Sequence, residues 1–247
     1  MQERILRLVG ARSMDEIPFV SIVIPCRNEE GFIGACLESL LKGDYPQDRL
    51  EVLVVDGMSC DGTRKIVASH LQGNPCIRVL DNPSKTTPVA MNLGIRASRG
   101  DVVIIASAHA RFDRKYITRC VEAIRRYGAD NVGGIMRMLP REPGLTGNAI
   151  ALSLSHRFGV GNSYFRIHTD EPRWVDTVFG GCYRREVFQR VGFFNEKLAR
   201  SQDMEFNRRL KKAGGKTLLA PDIVCYYYAR SDLKSFKCAA GRREALP

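Results

Sequence analysis

The first 136 residues alternate short apolar runs with stretches of helical periodicity, and this alternation constrains the fold more than any other feature. The apolar runs are rich in valine and isoleucine and have the length of buried strands. They lie at residues 19–25, 51–55, 77–80, 101–106 and 131–136. Alternating strands and helices predict an α/β fold with a mostly parallel central sheet and right-handed crossovers. Ligands of such sheets bind at the carboxyl ends of the strands, so the polar residues there are candidate site residues.

The helices are predicted from apolar spacing and from the residues that begin them. Side chains of the first helix recur at helical intervals: Ile33, Cys36, Leu37, Leu40 and Leu41. We expect Asn28, Asp61 and Asp113 to cap three helices, and Pro88 to occupy the first position of another. Beyond residue 140 the pattern is less regular. Residues 140–180 predict loops and short helices, followed by helices at 184–191 and 202–213 and a strand at 223–228.

The chain is strongly basic, with 38 Lys and Arg against 27 Asp and Glu and a net charge of +11. This charge suits nucleic acid, an anionic membrane surface or phosphate-bearing substrates, and it also suits a solvated face with no partner. The chain has no helix-turn-helix, zinc-finger or RNA-binding signature, so nucleic acid ranks below the other two partners. The densest basic segment is at the end of the chain: Arg230, Lys234, Lys237, Arg242 and Arg243.

The cysteines and the hydropathy of the chain indicate in which cellular compartment the protein is expected. None of the eight cysteines forms a C-x-x-C pair, and several lie in apolar runs, which favours free thiols in a reducing cytoplasm. No apolar run approaches the ~18 residues that a membrane-spanning helix needs. The first 17 residues lack the apolar core of a secretory signal.

Two turns at predicted strand ends carry the polar chemistry. The first reads PCRNEE and lacks the glycines of a dinucleotide-binding turn. Its carboxylates would repel a pyrophosphate but suit hydroxyl groups or base edges, and Glu29 and Glu30 also suit a helix N-terminus. The second reads DGMSCDGT. Asp56 at the strand end can accept from a base N–H or a ribose hydroxyl, whereas Asp61 is a plain helix cap.

Taken in order, these segments resemble the opening of family 2 glycosyltransferases: VSIVIPCRNEE and EVLVVDGMSCDGT. The resemblance covers roughly residues 19–230 and continues through Lys85 and residues 92–95, 97–101, 180–188, 191–194 and 202–207. Residues 108–112, 133–137 and 158–162 resemble the succinoglycan-type exopolysaccharide branch. The resemblance implies a GT-A (Rossmann-like) fold in one domain of 247 residues. It divides into a nucleotide-binding half (about 19–136), an acceptor-side half with the catalytic base (about 137–230) and a basic tail (231–247).

The resemblance also implies residue roles. Asp203 matches the general base, which takes the proton of the acceptor hydroxyl, and its place at a helix N-terminus is expected to keep it ionised. Asp56 would bind uracil. The donor-binding residues implied are Pro25, Asn28, Glu30, Asp56, Lys85, Asn92 and Ser107.

The fourth strand end departs from the family pattern. The family places Asp-x-Asp or Asp-x-His there to hold Mg²⁺ or Mn²⁺, whereas this chain has Ser107 and His109. A serine hydroxyl is a poorer ligand than a carboxylate. Three outcomes are open: His109 binds the ion weakly with the diphosphate and water, basic residues replace the ion, or the enzyme is impaired. We expect activity to be retained.

The acceptor side is less defined. Gln202, Trp174 and Arg230 are candidates, with Arg230 placed near the diphosphate by the resemblance. A lone tryptophan is more often a core residue than a sugar platform, so core is favoured for Trp174. The alternation in residues 226–228 favours a structural role for the three tyrosines.

The leading hypothesis is an inverting transferase that uses a UDP-sugar, a hexose donor, and a glycan or lipid-linked acceptor. A catalytically silent nucleotide-sugar-binding domain is the alternative, because of Ser107. A nucleotidyltransferase would need a glycine- and lysine-rich first turn, and a nucleic-acid binder rests on charge alone. Peripheral association with the inner face of the plasma membrane through basic residues is also expected.

Overall fold

The computed structural model describes residues 17–140, 144–145, 148–149, 152–153, 163–167 and 169–229. The first part alternates strands and helices as predicted. The strands are β1 (Val20–Cys26), β2 (Leu50–Asp56), β3 (Ile77–Asp81) and β4 (Val102–Ile105). The helices between and after them are α1 (Ile33–Leu41), α2 (Thr63–Leu71), α3 (Thr87–Ala97) and α4 (Tyr116–Tyr127). Strand β5 (Ala110–Phe112) precedes α4, and β6 (Asn131–Pro140) follows it.

The later part adds shorter elements around these strands. They are β7 (Arg173–Val175), β8 (Cys182–Arg184), α5 (Arg185–Val191), α6 (Gln202–Lys212) and β9 (Thr217–Ala229). Short 3₁₀ turns lie at Gln47–Arg49 and Tyr164–Arg166. Sequence reasoning missed β5, β7 and β8, because three residues are too few to show a period. It placed only the second half of β9.

One sheet runs through the described structure in the order β3-β2-β1-β4-β8-β6-β9-β5, and β7 pairs with the first half of β9. Strands β1 to β4, β6 and β9 share one direction, whereas β5, β7 and β8 run against them. The predicted mostly parallel α/β sheet is therefore confirmed. Strand β8 comes from the later part of the chain and lies between two strands of the first part.

The sheet separates two layers of apolar side chains. Alternate residues of β1 point to opposite faces, with Ile22 and Ile24 in one layer and Val23 in the other. Helices α1 and α4 cover the first face, and α3, α5 and α6 cover the second. Because both faces are covered, the seven residues of β2 are all buried, which explains the continuous apolar run from Val52 to Val55.

A bulge interrupts the pairing of β6 with β9. The register shifts between Gly133 and Ile135, which face Leu219 and Val224. A Cβ on Gly134 would lie 1.9 Å from the carbonyl oxygen of Ile223, so only glycine fits where the two backbones approach. The bulge lets β9 pair with β7 in its first half and with β5 in its second.

The predicted helix starts need correction. Helix α1 begins five residues after Asn28, whose side chain accepts from the backbone N–H of Cys60 at 2.9 Å. Asn28 has a φ of 54°, which aims its side chain across to the neighbouring turn instead of along the helix. Asp61 and Asp113 do not occupy the N-cap positions either, which belong to Gly62 and Lys115. Each lies just before its helix and accepts from a backbone N–H two residues on, Thr63 and Lys115 respectively, at 3.0 Å. Pro88 lies in the first turn of α3, as expected.

The described cysteines are free thiols, and most of them are buried, in agreement with their placement in apolar runs. In the described ranges, no helix combines the length and the apolar content that crossing a bilayer requires.

Candidate active site

A cleft of about 470 Å³ opens at the carboxyl ends of β1 to β4 and at the start of α6. The topology brings these places together, because parallel strands end at one edge of the sheet. The cleft is lined by six of the residues singled out from the sequence: Pro25, Lys85, Ser107, His109, Gln202 and Asp203.

Unusual backbone conformations surround this cleft. Among the described residues, the non-glycine residues with positive φ are Asn28 (54°), Met58 (58°), Lys85 (60°) and Ser201 (57°). Three follow strands β1, β2 and β3, and Ser201 directly precedes α6. Left-handed backbone costs energy for residues with a Cβ and persists at sites where the surrounding structure enforces it. The loops around the cleft therefore hold their side chains in fixed, strained turns.

Asp203 lies in the first turn of α6 and is half-buried in the cleft wall. Burial raises the pKa of its carboxyl above the ordinary value, although the backbone N–H groups of Met204 and of Asp203 itself lower it. Desolvation therefore outweighs the lowering by the helix start, and that Asp203 stays ionised remains a prediction. The result is a carboxylate more basic than usual, which suits proton abstraction.

Asp56 is 2% exposed and does not line the cleft. Its carboxylate accepts from the Ser59 hydroxyl at 2.5 Å and from Nε of Arg64 at 2.6 Å. Arg64 also donates to Asp81 at 2.6 Å, so it bridges the ends of β2 and β3. The next residue, Gly57, does line the cleft, which places Asp56 directly behind the wall.

Glu30 and Asn28 also lie outside the cleft lining. Glu30 accepts from the backbone N–H of Gly62 at 2.7 Å, and its own N–H donates to Asp61 at 3.2 Å. Together with the bond from Cys60 to Asn28, these contacts join the turn after β1 to the turn after β2. Glu30 and Asn28 therefore lie beside the cleft and hold these two turns together.

Asn92 is 1% exposed on α3 and is bonded to the loop that leads to α6. Its Oδ1 accepts from the backbone N–H of Phe194 at 3.0 Å. Its Nδ2 donates to the carbonyl of Phe194 at 2.9 Å and to Glu196 at 2.8 Å. Asn92 therefore supports the segment that precedes Asp203, and Phe194 itself lines the cleft.

Ser107 and His109 test whether this strand end fits a divalent ion. Nδ1 of His109 lies 3.1 Å from Oε1 of Glu29, and its Nε2 lies 2.7 Å from the hydroxyl of Tyr227. Both ring nitrogens thus have protein partners, and Ser107 offers a neutral hydroxyl. Across the described residues, no three or more His, Cys, Asp or Glu side chains gather where they could hold a metal ion. This set of donors does not fit a resident ion.

Sequence reasoning missed other residues that line the cleft. Arg27, Asn82 and Tyr227 do so from three separate segments. Oδ1 of Asn82 is buried without a hydrogen-bond partner in the described structure, while its Nδ2 donates to the carbonyl of Thr86 at 2.9 Å. An orphaned acceptor in a cleft wall is suited to a ligand hydroxyl or N–H. No local pattern signals these contacts, because each depends on distant segments meeting.

Cys26, the last residue of β1, lines the cleft, and its thiol lies beside the carboxylate of Asp56. Burial, followed by the charge of Asp56, raises the pKa of its thiol to about 12. The thiol is therefore neutral and offers no thiolate nucleophile.

The remaining acceptor-side candidates lie elsewhere. Trp174 is 54% exposed and lines a separate groove of about 400 Å³ with Lys211 and Lys216, so the interpretation as a core residue is wrong. It lies on β7 at the sheet edge, where no second layer covers it. Arg230, residues 158–162 and the basic tail lie outside the described residues.

Comparison with known proteins identifies the family of the chain. Residues 21–192 match the family described as Glycosyl transferase family 2. A dolichyl N-acetyl-alpha-D-glucosaminyl phosphate 3-beta-D-2,3-diacetamido-2,3-dideoxy-beta-D-glucuronosyltransferase of Methanococcus voltae is 31% identical over 88% of this chain and 69% of its own length. The succinoglycan biosynthesis protein ExoA of Rhizobium meliloti (strain 1021) is 31% identical over 90% of this chain and 67% of its own length.

Solved structures share the fold. The mannosyltransferase PcManGT of Pyrobaculum calidifontis, in complex with GDP-Man and Mn²⁺, has a TM-score of 0.70 at 21% identity, over 99% of this chain and 72% of that one. TarS 1-349 of S. aureus, in complex with UDP-GlcNAc, has a TM-score of 0.66 at 17% identity, over 92% of this chain. The chain spans only 61% of the TarS chain. The predicted GT-A fold and the succinoglycan-type resemblance are confirmed, and the chain belongs to glycosyl transferase family 2 as a glycosyltransferase of the GT-A fold.

Proposed function

We propose that this glycosyltransferase transfers a hexose from a UDP-sugar to a glycan or lipid-linked acceptor, with inversion at the anomeric carbon, during polysaccharide synthesis. The observation that carries the proposal is that Asp203, a carboxylate with a raised pKa, shares one cleft with the turns that follow four parallel strands. Strand-end turns suit the nucleotide, and a basic carboxylate suits the acceptor.

In the proposed reaction Asp203 accepts the proton of an acceptor hydroxyl while that oxygen attacks the anomeric carbon. The new bond forms on the face opposite the nucleotide, and the bond from the anomeric carbon to the β-phosphate oxygen breaks. UDP leaves with the electron pair of that bond, and the proton remains on Asp203 until solvent removes it. A single displacement of this kind inverts the anomeric configuration.

The donor side of the proposal uses the side chains that line the cleft and those behind its wall. Lys85 faces the diphosphate as a point charge. Asp56 accepts from uracil after Arg64, which is 44% exposed, moves off the carboxylate. Asn28 and Glu30 hold the two turns that frame the base, and Pro25 and Ser107 form part of the wall.

The acceptor and donor classes draw support from related proteins. ExoA is named for succinoglycan biosynthesis, and the Methanococcus relative is named for a dolichyl phosphate-linked sugar. TarS was solved with UDP-GlcNAc, whereas PcManGT was solved with GDP-Man and Mn²⁺. The nucleotide is therefore the first variable to test. On the acceptor side, we propose that Gln202, adjacent to Asp203, contacts the acceptor, together with Arg230.

We also propose that the protein binds the inner face of the plasma membrane peripherally, through its basic terminal segment. Co-sedimentation with liposomes tests this. Protein should pellet with phosphatidylglycerol vesicles and stay in the supernatant with phosphatidylcholine vesicles. Equal pelleting with both kinds of vesicle would contradict a charge-based attachment.

Calorimetric titration with UDP, GDP and ADP, followed by a turnover assay, tests the function itself. We expect UDP to bind more tightly than GDP or ADP, and a panel of UDP-hexoses with a lipid-linked saccharide to release UDP. The product anomer, assigned by NMR coupling constants, should be inverted. A retained configuration, or tighter GDP binding, contradicts the proposal.

The second candidate is a silent domain that binds the nucleotide sugar without transfer, and Ser107 is the observation that favours it. The same assay separates the two, because the silent domain binds UDP but releases none from any UDP-sugar.

A further inference from the structure

The charge of the donor raises a problem at the end of β4. A nucleotide diphosphate carries at least two negative charges into the cleft, and PcManGT was solved in complex with GDP-Man and Mn²⁺. In this chain Ser107 is neutral, and both nitrogens of His109 are bonded to protein groups. The cleft also contains two acidic side chains, Glu29 and Asp203. Some other positive charge must therefore balance the diphosphate.

Arg27 is one source of that charge. Its guanidinium-bearing side chain lies across Gly57, whose added Cβ would lie 3.2 Å from Cβ and 3.3 Å from Cδ of Arg27. Glycine at this strand end thus leaves room for the arginine stem to lie against the turn after β2. The side chain is exposed, lines the cleft and forms no ion pair with any acid of the described structure.

Lys85 is the second source. Its backbone is left-handed, with a φ of 60°, and its N–H donates to the carbonyl of Asn82 at 3.0 Å, which closes a tight turn after β3. The side chain is exposed, lines the cleft and, like Arg27, has no acidic partner within the described ranges. The same turn contains the orphaned Oδ1 of Asn82, so this wall has both a free cation and a free acceptor.

The carboxylate of Glu29 contacts His109 and forms no ion pair with Arg27 or Lys85. The hydroxyl of Tyr227 contacts the other ring nitrogen of His109. These contacts hold His109 in the wall, so that among the described residues lining the cleft Arg27 and Lys85 are the lysine and arginine side chains.

Building on the proposed function, we propose that Arg27 and Lys85 bind the donor diphosphate in place of a divalent ion, so that nucleotide binding needs no metal. Charge-assisted hydrogen bonds to phosphate oxygens supply the affinity, and the leaving UDP keeps the same two partners. Ser107 is the residue that makes this arrangement workable, because a carboxylate there would repel the diphosphate unless an ion screened it.

Calorimetric titration of the full chain with UDP, in EDTA and in MnCl₂, tests the inference, with uridine as the phosphate-free probe. We expect the UDP dissociation constants in the two buffers to agree within about threefold. Arg27→Gln and Lys85→Gln should each weaken UDP about tenfold or more in EDTA and leave uridine unchanged. Lys65→Gln, an exposed position on α2 outside the cleft lining, is the matched control and should change neither.

Ser107→Asp sharpens the test, because it restores the carboxylate. This variant should bind UDP at least tenfold more weakly in EDTA and regain affinity in MnCl₂. The inference is overturned if the unaltered protein binds UDP only in MnCl₂, or if the two cleft variants behave like Lys65→Gln. In those results UDP still binds, so the proposed function survives. Absence of UDP and uridine binding in both buffers overturns the two together.

Discussion

Two polar sites at opposite ends of strands β1 to β3 differ in whether their hydrogen bonds are satisfied within the protein. At the amino ends of the strands, Glu51 is completely buried and accepts from Ser21, from the backbone and side chain of Arg99, and from Arg78. At the carboxyl ends, the Oδ1 of Asn82 has no partner in the described structure. Arg27 and Lys85 have no acidic partner there either. The Glu51 site is thus satisfied within the protein, whereas the wall around Asn82 has an acceptor and two cations left for a ligand. Oδ1 of Asn131, at the amino end of β6, is the other buried side-chain oxygen without a partner among the described residues.

The two buried carboxylates show the same contrast in their proton affinity. Burial acts to raise the pKa of Glu51, but hydrogen bonds from Ser21 and Arg99 outweigh it and lower the pKa below its ordinary value. Burial raises the pKa of Asp203, and fewer donors oppose it. Satisfied polar groups thus stabilise the fold, while under-satisfied ones retain reactivity.

The largest expected effect is on the transfer rate, when Asp203 is replaced. Asp203→Asn removes the proposed base and should lower kcat by about 10²- to 10⁴-fold. The UDP dissociation constant should stay within about twofold, because the nucleotide contacts the strand-end turns. Asp176→Asn is the control: Asp176 is exposed and pairs with Lys211 at the other end of α6. A UDP affinity that falls in parallel with kcat would place Asp203 in nucleotide binding instead.

Removing the hydrogen bonds to Glu51 should lower the stability of the fold and leave the transfer reaction intact. Glu51→Ala removes the acceptor of Ser21 and Arg99 and should lower the free energy of unfolding by about 2–3 kcal/mol. The two arginine side chains are 42% and 67% exposed, so their charges return to water and add little to this loss.

Urea denaturation measures the change at Glu51, and Glu38→Gln is the control. Glu38 forms an exposed pair with Lys42 at 3.0 Å, and its loss should leave the urea midpoint close to that of the unaltered protein. If the two variants unfold at the same urea concentration, the Glu51 network adds no stability.

Acidification should affect Asp203 and Glu51 at different pH values. Asp203 must be ionised to act, and its pKa is raised, so kcat/KM should fall about tenfold per pH unit below that raised value. Glu51 has a lowered folded-state pKa, so its contribution to stability is complete above the ordinary glutamate pKa. That contribution is lost only as the pH falls through the lower folded value.

Transfer should therefore stop at a higher pH than the one at which this part of the fold weakens. Parallel measurements of rate and circular dichroism check the order. Simultaneous loss of both signals would contradict it.

The smallest expected effect concerns Asn92 and the loop it holds, which leads to Asp203. Asn92→Ala removes three hydrogen bonds to residues 194 and 196 and should lower kcat about tenfold, because Asp203 loses its alignment. UDP affinity should change less than kcat. Asn74→Ala, which also removes a bond to a backbone carbonyl, is the control, because Asn74 bonds His70 away from the cleft. A change confined to UDP affinity would instead indicate direct nucleotide contact by Asn92.

The sequence predicts the first half of the fold well because strands covered on both faces must be apolar along their whole length. The resemblance implies that Lys85, Ser107 and His109 lie at the donor site, and they line one cleft because parallel strands end together. It does not predict β5, β7 or β8, which are too short to show a period and depend on pairing with distant strands. The sequence also does not predict that Arg27 and Tyr227 line the cleft, because their positions depend on contacts with the distant residues Gly57 and His109.

The position of β8 between β4 and β6 has a consequence for synthesis on the ribosome. A nascent chain that has reached residue 136 has made most of the nucleotide-side strands, but β4 still has an open edge because its partner is not yet translated. Asp203, the proposed base, and Tyr227, which also lines the cleft, are translated later still. Completion of the cleft should therefore coincide with translation of nearly the whole domain, so that donor sugars meet only chains able to use them.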